Sequence, residues 1–578
     1  MIVLTAMKNA EVAKVFSDIS DLLELKGESP FKIRAYQKAA RSIEYLPREL
    51  ELMIAEGEDL RKIHGIGDAI ASKTTELVTT GRLGYYDDLK TGFPDGLVVL
   101  LGIPGVGPKT ANKLVRELGV KSVDELEVAL RDGRVAKLFR LGDKTAENLL
   151  RQIETLHRKD RRIPIGEALP PVEEILTSLS RILGVRNLCA VGSLRRFRET
   201  VGDIDLMGTA YDHERVIKAF TCLPLVRQVV AQGPTEASVI LPGGRQADFR
   251  LADHDSFGSL LQYSTGSKQH NIVLREKGRR MGLKLSEYGI AEDSKGVLEK
   301  FTTEEAFYRR LGLQYIPPEL REGQQEIDKA EQGTLPRLIQ QSDIQGDLHM
   351  HSDWSDGSDS IEVMVRAARD TGYRYVAITD HSVGRGIARG LSEDRLRKQI
   401  EEIRRLNDTL SGIRVLSGAE VDIRADGSLD MSEAMLGELD VVVAGVHSAM
   451  SQGEEQMTRR VTEALKNPHV DILAHPTCRL LGRREAVAID MEALFCVAAK
   501  YDKALEINAM PSRLDLRDIH ILRARELGAK LVISTDAHRA LQLGYIRFGV
   551  GIARRGWCEP RDVLNARPLE DVLRFFRN

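Results

Sequence analysis

Gly192-Ser193-Leu194-Arg195-Arg196-Phe197-Arg198-Glu199-Thr200-Val201-Gly202-Asp203-Ile204-Asp205-Leu206-Met207 decides how this chain of 578 residues is read. Just before it, Leu188-Cys189-Ala190-Val191 is an apolar run of strand length that ends at Gly-Ser. Side chains alternate on a strand, so Asp203 and Asp205 share a face while Ile204 turns into a core. Two carboxylates on one face repel each other unless a cation lies between them. A hard divalent ion such as Mg²⁺ takes oxygen ligands and suits such a pair. Asp248 offers a third carboxylate from the alternating run Gln246-Ala247-Asp248-Phe249-Arg250-Leu251, a strand expected to pair beside the first. Three carboxylates on neighbouring strands hold two metals, the arrangement that serves in-line displacement at phosphorus. An isolated Asp-x-Asp is most often a solvated strand face. Here Gly192-Ser193 lies ten residues upstream of Asp203, and its backbone N–H groups and hydroxyl suit the outer phosphates of a nucleotide.

Gly-Ser followed by Gly-Asp-Ile-Asp, with Arg195-Arg196 between, resembles the nucleotidyltransferase palm of the X-family DNA polymerases, the group that includes DNA polymerase beta. The resemblance implies Asp203, Asp205 and Asp248 as catalytic ligands of Mg²⁺ or Mn²⁺. With Gly192, it implies Ser193 and Arg196 as contacts to the phosphates of a deoxynucleoside triphosphate. A second family motif, Tyr263-Ser264-Thr265-Gly266-Ser267-Lys268-Gln269-His270-Asn271, implies a nucleotide-selecting surface. In it Tyr263 lies against the sugar, Asn271 meets the base edge, and Gly266, Ser267 and Lys268 complete the nucleotide contacts. Ser264 stands where the family often has an aromatic residue.

Composition sets limits. Apolar residues make up 42% of the chain, enough for ordinary cores. No run approaches the roughly 18 apolar residues of a membrane helix, and Met1 to Lys14 lacks a signal-peptide pattern. A cytoplasmic, nucleoid-associated monomer with no membrane partner is expected. Five cysteines show no CxxC spacing, which fits free thiols in a reducing compartment. The net charge of −3 carries no basic footprint, so DNA contacts must come from local patches or backbone donors.

Such donors are signalled by a repeat. Ile63-His64-Gly65-Ile66-Gly67-Asp68-Ala69-Ile70-Ala71 matches Ile103-Pro104-Gly105-Val106-Gly107-Pro108-Lys109-Thr110-Ala111 at an offset of 40 residues. Each copy reads as helix, Gly-x-Gly hairpin, helix. Glycine permits positive φ and close approach, and the following helix N-terminus offers N–H groups to a phosphate. This is the helix-hairpin-helix pattern, which grips the DNA backbone without reading bases. A degenerate third copy, Leu141 to Ala146, is read as structural. The run Ser29 to Ala40 resembles the start of the lyase-type domain of DNA polymerase beta. The resemblance places Lys73 at the family's Schiff-base lysine, with Lys32 nearby and Ala69 at a neighbouring lysine position.

The expected organisation is a lyase-like helical domain with helix-hairpin-helix over 1–88 and a second helix-hairpin-helix subdomain over 89–158. A palm follows over 159–252, entered through Leu169-Pro170-Pro171. A nucleotide-selecting thumb-type subdomain spans 253–318, and a polar linker with some helix spans 319–341. The fold class is multidomain α+β and α/β, with a mixed palm sheet and a C-terminal barrel over 342–578. In that last segment apolar runs near 344–349, 374–379, 413–418, 439–446, 470–474, 503–508 and 530–535 alternate with amphipathic ones such as 360–371 and 393–409. Seven β/α units imply a parallel barrel.

Polar residues gather where these strands end: His349, His351, Asp356, Asp380-His381, Glu420, His447, His475, Asp536 and His538. Barrel sites are built at the carboxyl ends of strands. Six of the 13 histidines at one end of one barrel are too many for satisfied structural residues. Imidazole mixed with carboxylate suits Zn²⁺, Mn²⁺ or Fe²⁺, and nine ligands are enough for three ions. The segment resembles the PHP (polymerase and histidinol phosphatase) family. That resemblance implies one metal on His349, His351, Glu420 and Asp536. A second lies on Glu420, His447 and His475, and a third on Asp356, His381 and His538.

The domain order is similar to that of bacterial and archaeal X-family polymerases. It implies a DNA-directed DNA polymerase that fills short gaps in base excision repair on gapped or nicked DNA. The barrel would act as a metal-dependent 3′–5′ exonuclease, with abasic-site endonuclease, 3′-phosphatase and 5′-deoxyribose-phosphate lyase chemistry as further expectations. The rival reading is a template-independent nucleotidyltransferase fused to a small-molecule phosphoesterase, and the helix-hairpin-helix pair argues against it. A third, a DNA-binding scaffold with dead sites, is at odds with the full set of ligands.

Overall fold

The computed structural model describes residues 9–576 apart from 45, 47–49, 56, 64, 92–99, 101–107, 136–148, 151–161, 293–296 and 385–387. Two compact units emerge, Met1–Arg162 and Ile163–Asn578. No helix among the described residues is long and apolar enough to cross a membrane.

In the first unit, helices Asn9–Leu25 and Pro30–Glu44 pack on each other. Val12, Phe16, Ile19 and Leu23 recur at helical spacing, and they are buried with Tyr36, Ala39, Ile43, Leu60, Ile66, Ile70 and Leu77. Gly65 has φ 91°, Gly67 caps helix Asp68–Thr80, and Gly81 ends it in the left-handed region. In the second repeat, helix Pro108–Leu118 forms, while Gly105 and Gly107 lie outside the described residues, as does the third copy at 141–146.

The second unit opens with a short ribbon, β1 (Ile163–Pro164) against β3 (Thr200–Val201). A mixed five-stranded sheet follows, in the order β2 (Arg186–Ala190), β4 (Ile204–Thr209), β7 (Arg245–Ala252), β6 (Glu236–Leu241) and β5 (Gln228–Gln232). Only β4 and β7 run parallel. Helices Ile165–Ser180 and His213–Thr221 cover its apolar face: Val172, Ile175, Leu179, Val216 and Phe220 are buried with Ile204, Leu206, Ala247 and Phe249. Pro170 and Pro171, expected to mark the entry, lie within the second turn of the first of these helices. An antiparallel sheet of β8 (Leu283–Ser286), β9 (Gly289–Glu292) and β10 (Leu298–Glu299) packs with helices Lys268–Arg280 and Glu304–Arg310.

The C-terminal strands are all parallel and in chain order: β11 (Gly346–Asp347), β12 (Tyr375–Ile378), β13 (Arg414–Asp422), β14 (Val441–Gly445), β15 (Ile472–Leu473), β16 (Ala504–Asn508) and β17 (Lys530–Ser534). Each lies within a run expected as a strand or overlaps it. At the carboxyl end His351 N donates to Ala537 O (2.8 Å) and Asp536 N to His349 O (3.0 Å), which nearly closes the barrel.

Two expectations change. A linker over 319–341 implies separate cores for palm and barrel, but one apolar cluster runs from Ile163–Leu251 into the barrel. Residues 319–341, expected as a polar linker with some helix, do contain helix Glu326–Gln332 but bury Arg321, Glu326, Ile327, Leu338 and Ile339. The polar residues are buried because they are paired. Arg321 Nη1 donates to Glu304 Oε1 (2.5 Å), and Glu326 accepts from His270 Nδ1 (2.8 Å).

Glu304 also accepts from Arg195 Nη2 (2.6 Å), so one carboxylate neutralises two buried guanidinium groups. Burial alone would raise its pKa, but Arg321 and Arg195 draw it down to about 2. Glu304→Gln leaves both arginines uncompensated and is expected to cost about 3–5 kcal/mol of stability at pH 7, read from the denaturant midpoint. Because the folded pKa is depressed, the Glu304 contribution is complete above the unfolded value of 4.5 and is lost as pH falls toward 2. The variant should therefore lack that part of the acid-induced loss.

Candidate active sites

The barrel site is built by strand ends. His349 and His351 follow β11, His381 follows β12, Glu420 lies late in β13, and His447, His475 and Asp536 follow β14, β15 and β17. Glu420 is at the centre. Its Oε1 is 3.0 Å from both His447 Nε2 and His475 Nε2. Its Oε2 is 2.8 Å from His381 Nδ1 and 3.5 Å from the Nε2 atoms of His349 and His351. Asp536 Oδ1 lies 3.3 Å from His351 Nε2 and 3.8 Å from His349 Nε2. Asp356 is 3.4 Å from His538 Nε2 and 3.6 Å from His381 Nε2. Three overlapping groups thus bring ligand atoms within 4.8 Å of one another: His351/Asp356/His381/His538, His349/His351/Asp536 and His381/Glu420/His447. His475 joins through Glu420, so all nine expected residues come together.

The donor set fits divalent cations. His351 Nδ1 and His475 Nδ1 are buried without a hydrogen bond, an arrangement that costs free energy unless another group takes the lone pair. Burial, then His538 and His381, push the pKa of His351 down to about 3, which keeps it a neutral donor. Burial would make Glu420 harder to ionise, but His447, His381 and His349 hold it well below the usual carboxylate range. His475 and Asp536 both hold positive φ, 27° and 52°, conformations that the surrounding structure must impose.

Sequence reading missed the residues that orient these ligands. Glu506 Oε1 accepts from His349 Nδ1 (2.7 Å), and its Oε2 accepts from His475 N (2.6 Å). His447 Nδ1 is 3.2 Å from Asp422 Oδ1. Such carboxylates fix the tautomer and the ring plane of a ligating histidine. The available signal was an acid inside an apolar strand, Ala504-Leu505-Glu506-Ile507, and a second acid two residues after Glu420. Asp380, by contrast, is taken up by Ser352 Oγ (2.5 Å) and Gln399 Nε2 (2.6 Å).

The palm site rests on register. Asp205 is the direct partner of Asp248 across the parallel β4/β7 pair, while Ile204 and Ala247 are buried beneath them. Gln246 Nε2 donates to both Asp248 oxygens (3.0 and 3.1 Å). Asp203 immediately precedes β4. Gly192 sits at φ 62°, and a Cβ there would lie 2.6 Å from Asp205 Oδ2, so glycine lets the Gly-Ser turn approach the carboxylate. Ser193 lies in the helical turn Gly192–Arg195. Arg196 is largely buried: its Nη1 donates to Thr265 O (2.5 Å) and its Nε to Glu322 Oε1 (3.3 Å). A groove lined by Asp205, Asp248, Arg250, Gln232 and Ser264 runs beside the pair.

On the selecting surface, Asn271 Nδ2 donates to Tyr263 O (2.8 Å) and Arg275 lies over the Tyr263 ring at 5.3 Å. A Cβ on Gly266 would lie 3.1 Å from Arg196 Nη1, so this turn meets the Gly-Ser turn. Ser267 Oγ caps the next helix by accepting from His270 N (3.2 Å), and Lys268 is exposed. In the first unit Lys73 Nζ lies 4.7 Å from the Tyr85 ring centre, and Lys32 Nζ lies 6.0 Å from the same ring.

Four family descriptions match the chain. "Helix-hairpin-helix domain" covers residues 7–83, and "SAM-like Helix-hairpin-helix tandem" covers 98–155. "DNA polymerase beta thumb" covers 260–322, and "PHP domain" covers 347–510. Bacillus subtilis (strain 168) has a relative named "DNA polymerase/3'-5' exonuclease PolX". It is 41% identical over 574 residues, 99% of this chain and all of the relative. A "Probable phosphatase" of Syntrophotalea carbinolica is 30% identical over 240 residues, 40% of this chain and 94% of that protein. Another, from Thermoanaerobacter sp. (strain X514), is 29% identical over 230 residues, 38% of this chain and 89% of that protein.

Proposed function

The chain belongs to the family of the DNA polymerase/3′–5′ exonuclease PolX, and from that premise we propose how it divides its work. It is a DNA polymerase with a PHP-associated exonuclease. The observation that carries the division is that Ile163–Asn578 contains two separate acidic centres, one of oxygen ligands alone and one rich in imidazole.

In the palm (159–252), Asp203, Asp205 and Asp248 hold Mg²⁺ or Mn²⁺, because oxygen ligands suit hard ions. Ser193 and Arg196 bind the triphosphate. In the thumb-type subdomain (253–318), Tyr263 and Asn271 set the sugar and base. In the barrel (342–578), the nine ligands hold up to three ions of Mn²⁺, Zn²⁺ or Fe²⁺. Bound ions supply positive charge to the phosphorus under attack and to the leaving oxygen. Glu506 and Asp422 keep the ligating histidines oriented. The substrate is gapped or nicked DNA, in keeping with a role in base excision repair.

Extension of gapped DNA with Mg²⁺ tests this, against tailing of a single strand. Templated addition that ends at the gap boundary is expected. Equal tailing of single strands would favour the template-independent alternative.

DNA grip by backbone donors has a clean test. Among the described residues nothing lies within 4 Å of a Cβ at Gly67, so Gly67→Val fits the fold yet stands before the N-terminus of helix Asp68–Thr80. DNA affinity is expected to fall about tenfold, roughly one charge-assisted hydrogen bond, and equally for all sequences. A loss confined to particular sequences would count against phosphate gripping.

Lys73 is proposed as the lyase nucleophile. Its ammonium lies against the Tyr85 ring, the ring that Lys32 also approaches. Borohydride should trap the wild-type protein on DNA carrying a 5′-deoxyribose phosphate. If Lys73→Ala traps equally well, another amine forms the Schiff base.

A further inference from the structure

The polymerase site borrows its frame from the barrel. Arg555 ends helix Ile546–Arg555, which follows the last barrel ligand, His538, in the chain, and its side chain is 2% exposed. Its Nε and Nη2 donate to Asp518 Oδ2 (2.9 and 2.6 Å). Its Nη1 reaches the palm, donating to the backbone O of Arg196 (2.8 Å) and to Glu322 Oε1 (2.9 Å). That same Glu322 oxygen accepts from Arg196 Nε at 3.3 Å and lies 3.8 Å from Arg198 Nη1. The next residue, Phe197, holds φ 57°, and its ring occupies the space where a Cβ on Gly551 would stand. Phe548 lies 6.2 Å from the Phe197 ring. Arg479 Nη2 donates to Glu199 Oε2 at 2.7 Å. Of the four consecutive residues 196–199, three are thus held directly by barrel side chains, and Arg198 through a carboxylate that Arg555 shares.

We propose that Arg555 and Gly551 are positioning residues for nucleotide binding in the palm, acting through Arg196. This rests on the reading of Arg196 as a triphosphate contact. The physical case is charge sharing. Glu322 divides its charge between Arg555 and Arg196, with Arg198 farther off at 3.8 Å. Removal of Arg555 strengthens the Glu322 hold on Arg196, keeping its guanidinium away from phosphate, and frees the Arg196 carbonyl. A buried charge pair gains strength when its competitor is lost, because little water is present to screen it.

Arg555→Met in the full-length chain is expected to raise KM for the deoxynucleoside triphosphate about tenfold, with kcat within about threefold and exonuclease activity retained. Adding Glu322→Gln to Arg555→Met should return KM toward the wild-type value, which loss of a merely structural contact would not do. Arg555→Lys should be intermediate. Gly551→Ala, which displaces Phe197 and leaves the charges in place, should also raise KM, and it decides the matter if Arg555→Met does not fold. Arg196→Ala is the reference. If it raises KM while Arg555→Met and Gly551→Ala, both active as exonucleases, stay within twofold of wild type, the coupling is overturned. If Arg196→Ala leaves KM unchanged, the phosphate assignment fails and the inference falls with it.

Discussion

Asp205→Ala is expected to lower kcat for nucleotide addition by about 10³-fold or more, roughly 4 kcal/mol of transition-state stabilisation, while DNA binding stays close to wild type. Asp205 faces Asp248 across parallel strands and lies against the Gly192 turn, so it touches both halves of the nucleotide site. Its side chain is half-buried on the face of β4 opposite the buried Ile204 and Leu206, and truncation leaves that core untouched. The expected DNA grip lies in the first unit, at the Gly65–Gly67 hairpin, and does not depend on this carboxylate. Single-nucleotide incorporation on gapped DNA and a binding titration on the same substrate separate the two effects. Retention of more than about a tenth of the activity would remove Asp205 from the catalytic set.

The barrel was legible because its physics writes itself into the chain. Parallel strands buried on both faces read as unbroken apolar runs such as Val441-Val442-Val443-Ala444, and the ligands stand immediately after them. The Asp205–Asp248 rung was legible from period-two alternation on both strands. What sequence patterning hid was the joint between palm and barrel. Polar composition at 319–341 suggested solvent, yet Arg321 is buried in an ion pair with Glu304 and Glu326 is buried while accepting hydrogen bonds from His270, Gly323 N and Gln324 N, and two of these partners, Glu304 and His270, lie outside the segment. Helix Ile546–Arg555 carries Phe548, Val550, Ile552 and Ala553 into that joint, and nothing local says which neighbour they meet. Glu506 and Asp422 escaped for a related reason: a charge that orients a ligand has no spacing rule of its own.

Glu420→Ala is expected to remove exonuclease activity, by about 10³-fold or more, and to leave templated nucleotide addition within about twofold of wild type. The asymmetry with other barrel variants follows from geometry. Glu420 Oε1 faces His447 and His475 while Oε2 faces His381, His349 and His351, so its loss disturbs every cluster, whereas His349→Ala removes a ligand from one. Asp203→Ala should show the reverse pattern. Although palm and barrel share an apolar core, the acidic centres use different ligand chemistry, so a chelator selective for transition ions should abolish the exonuclease, with recovery on Mn²⁺, and spare Mg²⁺-supported synthesis. Bound transition metal, measured by elemental analysis, should fall in Glu420→Ala and stay unchanged in Asp203→Ala, a readout independent of turnover. An exonuclease that survives Glu420→Ala but is lost in Asp203→Ala would instead locate degradation in the palm, as the reversal of synthesis, and would leave the nine converging barrel ligands without a reaction.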